Sequence, residues 1–294
     1  MSALVQVLVN GVIAGSIYAL VAAGFSIIYS TNRFIHFVHG VVVAFAAYML
    51  YAGFSLAHMP FSLAVILSLI STGFLGWLLY ILVYNPLLKK KASTVILLIA
   101  SLGLLILIEN LLQAIFGADI KSVNVFPIAK GVQIAGANIT PLQISIIAIA
   151  LITLLIVYVL MQKTKLGRQM RAVADNKELA SVIGIHEKKI AAYSFIIGSV
   201  LAAVAGILIG LEQNIRPNMG TGLIIKGYTG AIIGSVTSVP GAVLGSFLLG
   251  IVENIGILWL PSGYKDAIAF ILLFIFLLWR PQGILGIKKG VKHA

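Results

Sequence analysis

Residues 141–161 read PLQISIIAIALITLLIVYVLM, and residues 162–190 read QKTKLGRQMRAVADNKELASVIGIHEKKI. The first stretch carries no charge and matches the ~20 apolar residues a helix needs to cross a bilayer. Its apolar residues are continuous where a barrel strand would alternate, so a spanning helix is predicted. The second stretch carries Lys163, Lys165, Arg168, Arg171, Lys177, Lys188 and Lys189. Basic residues beside a span mark the cytoplasmic side. An uncharged run abutting a basic loop is therefore the unit from which the chain is read.

The same unit recurs. Apolar runs fall at 4–29, 38–57, 61–83, 93–116, 191–211, 223–239, 242–260 and 266–279. With 141–161 they make nine candidate spans, and short or broken runs widen the range to eight to ten. Lys89, Lys90 and Lys91 follow one run, and Arg280, Lys288, Lys289 and Lys292 follow the last. These segments and 163–190 are expected on the cytoplasmic side, with the C-terminus. Segment 117–140, with only Asp119, Lys121 and Lys130 charged, is expected outside. Counting back, with Arg33 marking the first inner loop, puts the N-terminus outside. No charge precedes Asn32, so the N-terminus reads as a retained span and not a secretory signal.

Composition agrees. The chain has 294 residues, 61% hydrophobic and 10% charged, with a mean hydropathy of +1.11. A soluble domain carries about 25% charged residues. The reading is an all-α polytopic membrane protein, with 1–294 as a single transmembrane domain. Its net charge of +12 comes from basic clusters between spans, with no stacking aromatics, so nucleic-acid binding is not expected. The absence of cysteine excludes disulfides, thiolate metal sites and cysteine nucleophiles. No HExxH, GxSxG or phosphate-binding GxxxxGK[ST] motif occurs, so neither an enzyme nor an ATPase is expected.

Two stretches resemble each other. Residues 15–24 (GSIYALVAAG) and 198–206 (GSVLAAVAG) each precede a polar interruption, Asn32-Arg33 and Asn214-Ile215-Arg216-Pro217. The predicted spans run in opposite directions, which suggests inverted halves with interrupted helices. Chance is the competing reading, because small residues are common in packed membrane helices.

The 163–190 segment holds the clearest soluble element. Asp175 and Glu178 have capping-box spacing, Leu179, Ala180, Val182 and Ile183 supply an apolar side, and Gly184 offers a left-handed stop. The result is a helix of about two turns, too short to stand alone. Membrane packing or a partner's groove must hold it, with Ala180 expected on the contact face.

Individual polar groups stay open between two roles. His36 and His39, followed by Gly40, line a pathway or sit satisfied near the boundary; no third ligand suggests a metal. Lys226 reaches the outer surface or meets a passing carboxylate. Glu109 and Glu253 bond between helices or relay protons. Asn214, Pro217, Gly220 and Gly222 form an outer loop or a discontinuous helix whose free N–H groups meet a carboxylate.

Four blocks give a specific resemblance. They are 15–24 with Ile35–Gly40 (IHFVHG), 166–185 with Arg168, Arg171, Asp175, Glu178, Ala180 and Gly184, 239–253 (VPGAVLGSFLLGIVE), and 280–286 (RPQGILG). Together they resemble LivH-type permeases of branched-chain amino acid ABC importers, nearly end to end. The family usually has Asn where this chain has His36, and a second Gly where it has Ser235. The resemblance implies an inner-membrane permease subunit without a cofactor. Expected partners are a related second permease, two cytoplasmic ATPases and an external amino-acid-binding protein. Residues 178–184 would dock on the ATPase, and leucine, isoleucine or valine would be the cargo. A proton-coupled secondary transporter is the alternative.

Overall fold

The structure is a computed structural model that describes residues 2–125, 131–134 and 136–286. Lys130, Lys288, Lys289 and Lys292 lie outside the described residues. Twelve α-helices are described: α1 Ser2–Asn32, α2 Val38–Tyr51, α3 Phe61–Leu79, α4 Asn85–Lys89, α5 Thr94–Phe116, α6 Pro141–Lys163, α7 Lys165–Asp175, α8 Lys177–Val182, α9 Glu187–Glu212, α10 Met219–Gly234, α11 Val239–Gly256 and α12 Lys265–Trp279. A short hairpin, β1 Val132–Ile134 with β2 Ala137–Ile139, sits in the 117–140 segment. Two π-helical turns, Ala52–Leu56 and Tyr80–Tyr84, extend α2 and join α3 to α4.

Eight helical stretches are long and apolar enough to cross a membrane. The ninth expected span is α10, whose 16 residues fall short of the length but lie largely inside the bundle. The protein is thus an all-α polytopic membrane protein.

Two boundaries differ from expectation. The turn between the last-but-two runs lies at 235–238, before Pro240 and not at it. Ser238 caps α11 by accepting a hydrogen bond from Gly241 N at 3.2 Å, and Pro240 fits the first turn, where its missing N–H costs nothing. Gly220 and Gly222 do not break a helix either; they lie inside α10, after a loop ending at Asn218.

The interhelix contacts sort the connections to two ends. At one end Arg33 donates to the Ala174 carbonyl, Ser26 donates to Val236 O (2.8 Å), and Ile284 and Leu285 bond Ile233 and Gly234 carbonyls (2.8 and 2.9 Å). At the other, Gln6 Nε2 and Asn138 O lie 3.2 Å apart, Gln143 Nε2 donates to Glu212 (2.8 Å), and Lys121 pairs with Ile215. The first end gathers Lys89–Lys91, the α7–α8 segment and Arg280, so the described residues of the three basic clusters share one side.

The helix α1 is the centre. Its residues 15–32 are almost wholly buried, packed by α9, α10 and α11. The two similar stretches meet there in opposite directions: a methyl group added at Gly24 would strike the Gly198 carbonyl. Close backbone approach through small residues is how apolar helices associate without a hydrophobic drive. Near the basic end, Thr31 donates to Ser194 Oγ (2.8 Å), and Asn32 Nδ2 donates to the same oxygen (3.0 Å). The outer faces of α5, α6 and α12 carry exposed Leu, Ile and Phe, as lipid contact requires.

Candidate functional site

Most of the residues singled out in the sequence fall in three places. The first is the break after α1. Arg33 adopts a left-handed conformation (φ 63°) that ends the helix, and the chain re-enters the bundle at Phe34–Phe37. His36 and His39 are fully buried. His36 Nδ1 lies 2.9 Å from the Tyr84 hydroxyl, while His36 Nε2 has no hydrogen-bond partner among the described residues. Phe34, Tyr84 and Phe195 enclose the His36 ring, the last at 4.9 Å between centroids. The His39 ring packs on Gly24 and faces the Val21 carbonyl without a well-formed hydrogen bond. Gly40 meets Gly220 backbone to backbone, and a methyl group on either would collide with the other's carbonyl. The first turns of α2 and α10 therefore face one another inside the bundle. Among the described residues no group of His, Cys, Asp and Glu could hold a metal.

Asn214 and Pro217 belong to neither this cluster nor the interior. They lie in the loop before α10, at the end opposite the basic one, with Asn214 exposed.

The second place surrounds Lys226. Its Nζ is 3.4 Å from Glu253 Oε2 and 3.0 Å from Asp266 Oδ1, and stands 5.4 Å from the Tyr18 ring centroid. Tyr18 donates to the same Glu253 oxygen at 3.0 Å. The protein itself supplies this lysine's counterions, one on α11 and one at the start of α12. Glu253 is the expected interhelical bridge. Glu109 also bridges, accepting from Thr221 Oγ1 at 3.4 Å.

The third place is α7–α8. Here three expectations are corrected. Asp175 is not the cap but the last residue of α7; Asn176, extended at φ −147°, caps α8 by accepting from Leu179 N at 3.1 Å. Glu178 does not reach back; its side chain makes no hydrogen bond among the described residues. Ala180 does not face outward but is buried, leaving Leu179, Val182 and Ile183 exposed at 64, 82 and 72%. The expected stop is present: Gly184 has φ +83°, with Gly184 N bonded to Ser181 O and Ile185 N to Ala180 O, both 3.0 Å. This paired closure satisfies the orphan carbonyls of α8. Arg171 bonds Gln162 and Arg168 reaches the Lys163 carbonyl at 3.4 Å, which ties α7 to the end of α6. The result is a six-residue helix, held from within by Ala180 and presenting an apolar face.

Residues 7–277 match the family model described as branched-chain amino acid transport system / permease component. The chain is 34% identical over 296 residues to the high-affinity branched-chain amino acid transport system permease protein BraD of Pseudomonas aeruginosa, covering 96% of this chain and 95% of the relative. It is 32% identical over 298 residues to LivH of Escherichia coli, with the same coverage. Among solved structures, PsaBC from Streptococcus pneumoniae in complex with Fab aligns with a TM-score of 0.51 at 13% identity, covering 93% of this chain and 91% of that one. That last likeness concerns the fold alone. The relatives are transport permeases and not enzymes, and the chain belongs to the permease-component family of branched-chain amino acid transport systems.

Proposed function

We propose that this chain is one membrane half of an ATP-driven importer for leucine, isoleucine or valine. Its partners are a related but different permease, two cytoplasmic ATPases and an external binding protein. The observation that carries the reading is the outward apolar face of α8 at the basic end. Leu179, Val182 and Ile183 cannot face water there without cost, and a helix this short cannot order itself. A groove on a partner relieves both. The basic end is cytoplasmic by the Lys/Arg rule, which puts α8, the C-terminus and ATP on the same side.

In this reading α7 and α8 carry the ATPase's motion to the bundle, with Arg168 and Arg171 fixing α7 on α6 and Asp175 and Glu178 on the exposed rim. The second element is the break after α1. His36, His39, Gly40 and Gly220 stand where α2 and α10 face each other, and their backbone contact is a seal that sliding of either helix would open. Asn214, Pro217 and Lys226 lie toward the external end of that route. The Lys226 cluster gives no support to proton coupling, since its bonds are those of a fixed ion pair.

Val182→Glu and Ile183→Glu should abolish ATPase pull-down from matched membranes while leaving chain yield unchanged. Ala180→Arg should instead damage α8 itself. Normal pull-down by both glutamate variants would remove α8 as the docking element.

A further inference from the structure

At the basic end, three span ends converge on a cavity of about 340 Å³. They are the last turn of α1 (Thr31, Asn32), the end of the third span (Tyr80, Asn85, Lys89) and the first turns of α9 (Lys188, Ala191). Val173 of α7 and Lys177 of α8 close it from the polar side. Because spans begin and end around it, the cavity lies at the depth of lipid headgroups.

Its charge is only partly compensated. Lys89, Lys177 and Lys188 line it against a single acid, Glu187, and among the described residues none of the three has a carboxylate within 4.0 Å. Asn85 also lines the cavity, and its side chain makes no hydrogen bond among the described residues. Leu88, Val173 and Ala191 give it an apolar lining. Tyr80 and Asn85 are brought to it by the π-helical turn Tyr80–Tyr84, an irregularity that often marks functional positions. Lys177 is the most enclosed of the lysines. Burial holds its ammonium below the ordinary lysine range, Glu187 raises it and Arg33 lowers it further. An added anion would oppose that burial effect.

We infer that this cavity binds the phosphate of one anionic phospholipid headgroup, with Lys89, Lys177 and Lys188 as charge partners and Asn85 as a donor. Basic pockets between span ends on the cytoplasmic side suit this chemistry. A free phosphate offers the same oxygen acceptors and at least as much negative charge, but headgroup depth and the apolar lining favour the lipid. The site joins the bundle to α7 and α8, which Arg33 already ties through the Ala174 carbonyl. A bound headgroup therefore fastens the docking segment to the span ends. That consequence for coupling rests on the function proposed above, whereas the binding itself does not.

The test is native mass spectrometry of the purified chain in detergent, with phosphatidylglycerol, phosphatidylcholine or inorganic phosphate added. One phosphatidylglycerol should be retained at concentrations where phosphatidylcholine is not. Each lysine near the surface is worth roughly a five-fold change, so Lys89→Gln/Lys177→Gln/Lys188→Gln should weaken retention about 100-fold. Asn85→Glu, a single change that puts a carboxylate into the cavity, should abolish it. Lys163→Gln/Lys165→Gln should retain the lipid, and the three lysines replaced by arginine should too. Equal retention of both lipids, or unchanged retention in the triple glutamine and Asn85→Glu variants, overturns the assignment. Displacement of the lipid by millimolar inorganic phosphate overturns the lipid as ligand and leaves a soluble-anion site. Because binding is read without an ATPase, its failure leaves the importer reading standing. The converse also holds.

Discussion

Lys226 and Lys177 solve opposite problems. Lys226, 14% exposed, sits among helices with Glu253, Asp266 and Tyr18 around it. Lys177 lies at the rim of the bundle, with no carboxylate of the described residues within ion-pair distance. Inside a low-dielectric bundle an unpaired ammonium is prohibitive, so the fold brings counterions from α11 and α12. At the rim, water and headgroups can solvate the charge, so no internal partner is required. An internal pair is thus architecture, and a rim charge is available to something outside the chain.

That contrast can be broken by mutation, beginning with the largest effect. Lys226→Met strands Glu253, whose side chain is fully buried, and should cost about 3–5 kcal/mol of stability. Thermal unfolding of the detergent-solubilised protein measures it, and Lys226→Met/Glu253→Gln should recover most of the loss. A stable single variant would mean that the pair is not structural. Asp266→Asn should cost less, about 0–1 kcal/mol, because the Asp266 side chain is 73% exposed and water screens the pair. Lys188→Gln should stay within about 0.5 kcal/mol of the parent, as expected of a surface charge without a partner. A large loss there would show that the rim lysines hold the fold together.

Much of the fold was legible because span length and charge placement are local properties. The 93–116 run became α5 at Thr94–Phe116, and the 141–161 run became α6 at Pro141–Lys163. The stop at Gly184 was also legible, since a glycine after an apolar turn favours a left-handed residue. What escaped depends on neighbours distant in sequence. Asp175 and Asn176 are both good caps, and the choice fell to Asn176 because α7 continues through Asp175. Which side of α8 Ala180 occupies was fixed by what the bundle places beneath it. Lys226 gives no hint in its own run of partners on two later helices. The π-turns and the Gly40–Gly220 contact likewise arise from packing.

The most direct test of the account is uptake of radiolabelled leucine into inside-out-free proteoliposomes carrying this chain, its partner permease and the ATPases, with binding protein outside. Accumulation should require ATP within the vesicles and the binding protein outside, and should persist when an uncoupler collapses the proton gradient. Accumulation that follows the proton gradient and proceeds without ATP would contradict the account.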